Sequence, residues 1–125
     1  MLRFIKSFTY AFKGVVTLAK TERNFQIILV VMCITVAAGF SLDFFGQHLL
    51  RHEWALIWLT IGLMLVSEAM NTALEKTLDT LHPDRHPGVG LAKDMAAAAT
   101  FCASVVSIII GLYVFVPHVM AIING

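Results

Sequence analysis

Residues 67–79, SEAMNTALEKTLD, follow without a break from residues 54–66, WALIWLTIGLMLV. The first thirteen positions carry no charge, and the next thirteen place Glu68, Asn71, Glu75 and Asp79 on the end of the same apolar helix. A carboxylate in hydrocarbon costs several kcal/mol by insertion scales, so it is kept where it pairs, lines a polar site or does chemistry. At about 100° per residue, Glu68, Thr72, Glu75 and Asp79 fall within roughly 60° of one another, with Asn71 beside them. The segment therefore predicts a membrane helix ending in one polar stripe. With a rise of 1.5 Å per residue, Glu68 lies about 21 Å and Glu75 about 31 Å from Trp54, the first just inside the hydrocarbon boundary and the second at the water interface.

The rest of the chain fits a membrane setting. Of its 125 residues 58% are hydrophobic and only 14% charged, with mean hydropathy +0.82; soluble domains carry about 25% charged residues. Stretches near the 20 residues needed to cross the bilayer predict spans over 25–44, 54–74 and 95–116. Gly46 and polar residues mark the first connector. Pro83, Pro87, Gly88 and Gly90 mark a loop over 76–93. The fold class expected is an all-α membrane protein, one domain over residues 1–125. A formal net charge of +1 gives no basis for nucleic-acid binding. Cys33 and Cys102 lie in apolar segments and read as free, buried thiols rather than a disulfide. Lysines and Arg3 interrupt the first 24 residues, so no cleavable signal peptide is expected.

Basic residues sort between the two sides: five precede the first span, three lie between the second and third, and Arg51 alone occupies the first connector. The positive-inside rule then puts the N-terminus and the 76–93 loop in the cytoplasm, and His48, Arg51, His52 and the tail after Pro117 outside. Trp54 and Trp58 suit the outer aromatic belt. In residues 3–21, Ile5, Phe8, Phe12, Val15, Val16 and Ala19 recur at helical spacing against Lys6, Lys13 and Lys20. This predicts an amphipathic helix on the membrane surface, for which anchoring to anionic lipid is a sufficient role. Ala99, Ala103, Ser107 and Gly111 form a small-residue stripe on the third span, read first as packing and also as suited to oligomerisation.

Candidate chemistry gathers at the cytoplasmic end. Glu75 is reachable by a water-soluble anionic ligand carrying a metal, and Glu22 can sit at the same level. Two carboxylates plus substrate phosphates is the usual way Mg²⁺ is held. Glu68, deeper and poorly hydrated, would meet a lipid head group and act as general base toward a hydroxyl. Lys93 is either a phosphate-neutralising cation or a snorkelling anchor, and Asp94 either caps the third span or accepts a hydrogen bond from a nucleotide. GVGLAK at 88–93 lacks the spacing and preceding strand of a phosphate loop. His82 and His86 are separated by a proline that denies them a shared helix face, which argues against zinc.

Two motifs carry a family resemblance: E-x-x-N-T-A-L-E-x-x-x-D at 68–79 and A-K-D-M-A-A-A-A at 92–99. With them the chain, from Arg3 to about Val116, resembles the small prokaryotic diacylglycerol kinases, a family that includes undecaprenol kinases. The resemblance implies a homotrimer in the bacterial cytoplasmic membrane, with active sites shared between subunits. It implies transfer of the γ-phosphoryl group of ATP to a lipid hydroxyl at the cytoplasmic face, with Mg²⁺. By motif position Glu68 looks like the general base, Glu22 and Glu75 like the Mg²⁺ ligands at the nucleotide, and Asn71 and Asp79 like supporting residues. Arg3, Tyr10, His86, Lys93 and Asp94 match nucleotide-binding positions. Asp84 stands where some relatives have Glu, one methylene longer. TERNFQI at 21–27 and the Asn71–Thr72 pair look like the undecaprenol-preferring branch, although the common core would serve diacylglycerol equally well.

A transporter component would also keep intramembrane acids, but these cluster at one end and trace no path across the membrane. A scaffold would use the small-residue stripe and leave the acidic stripe without a purpose.

Overall fold

A computed structural model describes residues 2–84 and 86–125, with side chains from residue 6 onward. Every regular element is helical: α1 (Leu2–Thr21), α2 (Arg23–Ser41), a single 3-10 turn (Leu42–Phe45), α3 (Arg51–Leu81) and α4 (Pro87–Asn124). Three segments are long and apolar enough to cross a membrane, Arg23–Phe45, Arg51–Leu81 and Pro87–Asn124. The chain is thus a multi-pass, all-α membrane protein. Hydroxyls within the spans bond back to their own helices: Thr35 donates to the Val31 carbonyl at 2.8 Å, Thr60 to Ile57 at 2.9 Å and Ser107 to Ala103 at 2.8 Å. None of the three presents an unpaired donor to hydrocarbon.

The break between α1 and α2 is one residue wide. Glu22 is extended (φ −104°, ψ 111°) between two helical neighbours. The Gln26 side chain reaches back to donate to the Ala19 and Lys20 carbonyls at 3.1 and 3.2 Å, satisfying acceptors that the end of α1 leaves unpaired. The sequence TERNFQI therefore encodes a corner, and the corner carries an acid.

α3 is the central helix. α4 packs along most of it, α2 along another side, and α1 contacts α2. Phe25, Ile57, Ala103 and Val114 are the buried apolar residues at these crossings. Gly39 lets α2 approach the start of α3: a Cβ there would meet the Trp54 ring at 2.7 Å and Leu49 at 2.9 Å. Phe40 lies against the same Trp54 ring, centroids 4.7 Å apart. Gly46, at φ +72°, closes the 3-10 turn in the left-handed region that a Cβ disfavours.

Helix bounds depart from the hydropathy reading at both ends of the bundle. The expected 76–93 loop contracts to residues 82–86, because α3 runs on to Leu81 and α4 starts at Pro87. Proline at the first helical position has the right φ and no N–H to leave unpaired, so Pro87 starts a helix rather than breaking one. Pro117 likewise lies inside α4, and the expected tail beyond it is helical to Asn124. At 1.5 Å per residue α3 is about 46 Å and α4 about 57 Å long, so both outreach a hydrocarbon core of roughly 30 Å.

The small-residue stripe on α4 turns partly inward. Ala103 is buried within the chain, while Ser107 and Gly111 border an apolar groove of about 370 Å³ between α2, α3 and α4. Cys33 and Cys102 are free as expected, but exposed on the helix surfaces rather than buried.

Candidate active site

The polar stripe of α3 becomes a cluster where α2 begins. Glu68 is 3% exposed, Asn71 8% and Thr72 7%, an unusual polar burial beside apolar spans. Glu22 and Glu75 act electrostatically on Glu68, and Asn24 on α2 is the polar side chain that faces it. Two further carboxylates thus lie within electrostatic range of Glu68, one from the corner before α2 and one from α3 itself. The corner at Glu22 brings the first, and the three- and four-residue spacing on α3 brings the second onto the face of Glu68.

Each acid has a distinct setting. Glu68 is enclosed. Glu75, half-buried, faces the Asn71 amide nitrogen at a long 3.4 Å. The Asn71 Oδ1 is buried and has no hydrogen-bond partner among the described residues. An unmet buried acceptor is costly unless a ligand or solvent completes it. Glu22 accepts from the Thr21 hydroxyl at 2.9 Å and from Lys76 Nζ at 3.2 Å. The Thr21 hydroxyl, and after it the Lys76 ammonium, hold the Glu22 carboxyl below the usual carboxylate range, so it is ionised at neutral pH.

One turn further along, Lys93 of α4 is ion-paired with Asp79 of α3. The pair forms one wall of a cleft of about 460 Å³ over the α3–α4 turn, to which His82, Asp84 and His86 also contribute. The His86 ring accepts from the Gly88 N–H at 3.1 Å and so caps α4. The alternative of Asp94 as the cap is thereby corrected: the helix has already started seven residues earlier, and Asp94 lies exposed within it.

The structure therefore gathers Glu22, Glu68, Asn71 and Glu75 in one cluster, and Asp79, Asp84, His86 and Lys93 around the adjoining cleft. Tyr10 stands exposed on α1, outside the hydrogen bonds that build the cluster. The Arg3 side chain falls outside the described residues. Sequence reasoning passed over Asn24 and Lys76. Asn24 had a signal, a polar residue two positions from Glu22 at the mouth of a span. Lys76 lies four residues after Thr72 and so belongs to the same stripe.

At the opposite end of the bundle a second polar group was also missed. His118 places Nε2 3.2 Å from the Glu53 carboxylate and Nδ1 3.3 Å from Gln47 Oε1, while Glu53 accepts from the Leu50 N–H at 2.7 Å. It ties the far end of α4 to the connector and the first turn of α3.

The family model described as prokaryotic diacylglycerol kinase matches residues 9–115. The chain belongs to the prokaryotic diacylglycerol kinase family. As a member it is an enzyme, a lipid kinase. It is 42% identical over 115 residues to the undecaprenol kinase of Bacillus subtilis, covering 92% of this chain and 89% of that protein. It is 32% identical over 117 residues to a diacylglycerol kinase of Synechocystis, covering 93% of this chain and 64% of that one. With the Escherichia coli diacylglycerol kinase it shares 28% identity over 109 residues, covering 86% and 84%. Both motifs from which the resemblance was read lie inside the matched region.

Proposed function

We propose that this lipid kinase transfers the γ-phosphoryl group of ATP to the hydroxyl of undecaprenol at the cytoplasmic face of the bacterial membrane. The observation that carries the reading is the convergence of one enclosed and two more accessible carboxylates at the polar end of the bundle. The 42% identity to an undecaprenol kinase supports that lipid over diacylglycerol. The excess of Lys and Arg at the same end supports its cytoplasmic placement.

Glu68 is the general base. Its enclosure keeps water from competing for the carboxylate, and its position below the rim suits a hydroxyl whose apolar body stays in the bilayer. As the lipid oxygen bonds to the γ-phosphorus, the hydroxyl proton passes to Glu68 and ADP leaves. Asn24 and Asn71 hold the carboxylates in register.

The donor set suits Mg²⁺: Glu22 and Glu75 are hard oxygen ligands near a water interface, and Asn71, whose Oδ1 is unpartnered, faces Glu75 through its amide nitrogen. When bound, Mg²⁺ supplies neutralisation of phosphate charge. The remaining charge falls to Lys93, which Asp79 orients along the cleft wall, with Asp84 and His86 facing the rest of the nucleotide. Arg3, Tyr10 and Asp94 complete that binding surface by resemblance. A kinase of this kind needs no phosphate loop, because phosphoryl transfer rests on positioning and charge neutralisation.

A homotrimer with an interfacial α1 belongs to the same proposal. It is supported by the open apolar groove and by the many exposed large apolar residues on all three spans. The test is the Mg²⁺ dependence of ATP turnover with Glu75→Gln. A higher Mg²⁺ requirement is expected, and an unchanged Mg²⁺ titration contradicts the ligand role.

A further inference from the structure

Lys76 has no part in the chemistry described so far, yet it touches one of the carboxylates on which that chemistry depends. Its Nζ lies 3.2 Å from Glu22 Oε1 and bridges the corner between α1 and α2 to the polar end of α3. Among the described residues it is the basic side chain within ion-pair reach of Glu22. The two partners differ in setting. The Glu22 side chain is 22% exposed and the Lys76 side chain 70% exposed. A pair with one well-solvated partner contributes little to stability, so exchanging it costs little. The carboxylate is fixed at a one-residue corner, whereas the ammonium sits on a four-carbon stem free to move. Lys76 also follows Glu75 in α3, and its flexible stem gives an ammonium displaced from Glu22 reach toward phosphate bound at this end of the bundle.

We propose that Lys76 is an exchangeable counter-cation. It neutralises Glu22 until a metal–nucleotide complex claims that carboxylate, then turns to the phosphate oxygens of the arriving nucleotide. Without it the Glu22 carboxylate would stand without its counter-charge between turnovers. The exchange gives Glu22 a partner without retaining a divalent ion between turnovers, and makes firm metal capture depend on the nucleotide. It rests on the reading of Glu22 as a metal ligand.

The test is Mn²⁺ binding by electron paramagnetic resonance to the full chain in lipid nanodiscs, with and without a non-hydrolysable ATP analogue. The variants are Lys76→Met, Lys76→Arg and Glu22→Gln. Without nucleotide, Lys76→Met is expected to bind Mn²⁺ roughly two- to fivefold more tightly than the parent, the range of an exposed ion pair. Lys76→Arg is expected to stay close to the parent. In turnover assays Lys76→Met should raise KM for ATP more than it lowers kcat. Unchanged Mn²⁺ affinity in Lys76→Met, with weaker binding in Glu22→Gln, overturns the counter-cation role and leaves the metal site standing. Unchanged affinity in Glu22→Gln overturns the metal reading beneath it. A Lys76→Met protein that only loses thermal stability, with no change in metal or nucleotide affinity, makes the pair a structural tie and also overturns the proposal.

Discussion

Glu68 is the most enclosed of the three gathered acids, at 3% exposure, and its role can be isolated by removing charge while keeping shape. Glu68→Gln is expected to lower turnover by about 10²- to 10⁴-fold, the usual worth of a general base, with little change in ATP binding. Steady-state transfer assays read both quantities. The Asp79–Lys93 pair gives a second prediction. Asp79→Asn removes the anchor of Lys93 and should raise KM for ATP several-fold, with Lys93→Ala causing a larger loss and leaving insertion intact; a Lys93→Ala chain that no longer inserts would make the residue structural. The acids of α3 were legible in the sequence because helical periodicity puts residues three and four apart on one face. The pairing of Lys76 with Glu22 was not, since a contact between helices depends on their packing and on the corner at Glu22, neither of which a periodic pattern records.

Helix existence was legible from hydropathy, helix ends were not. Pro87 reads as a breaker and Pro117 as the start of a tail, yet one starts α4 and the other lies within it, because proline costs a helix little where its missing N–H has no partner to serve or where other contacts hold the backbone. His118 is held by Glu53 and Gln47 only because α4 continues past Pro117. Close approach of elements is likewise invisible in one dimension: Gly39 reads as one small residue in an apolar run, but it receives the Trp54 ring. Gly39→Val is expected to destabilise the α2–α3 contact by about 1–3 kcal/mol, the usual cost of overpacking. Thermal unfolding in detergent micelles would show it as a lower Tm, and an unchanged Tm would mean that the ring has room to move.

For the whole molecule, the chain has few buried apolar residues and displays large apolar side chains along every span. Lipid covers part of this surface, and two further copies of the chain cover more in the proposed assembly. Native mass spectrometry from micelles is expected to release a species of three chains; a monomer retaining full activity would contradict shared sites. Orientation is testable by placing a single cysteine at Thr80 or at His48 in a Cys33→Ala, Cys102→Ala background. A membrane-impermeant maleimide applied to intact cells should label position 48 and spare position 80. Three spans and an acidic end could be read from composition and spacing alone. The adjoining cleft could not, since it forms only where α4 folds back along α3 and Asp79 meets Lys93.

The most direct test of the central claim is transfer of phosphorus-32 from the γ-position of ATP, with Mg²⁺, to undecaprenol and to diacylglycerol offered separately in matched micelles. Label entering undecaprenol faster than diacylglycerol, and disappearing in Glu68→Gln, is the predicted result. Transfer to undecaprenol that persists undiminished in folded Glu68→Gln, or a clear preference for diacylglycerol, would contradict it.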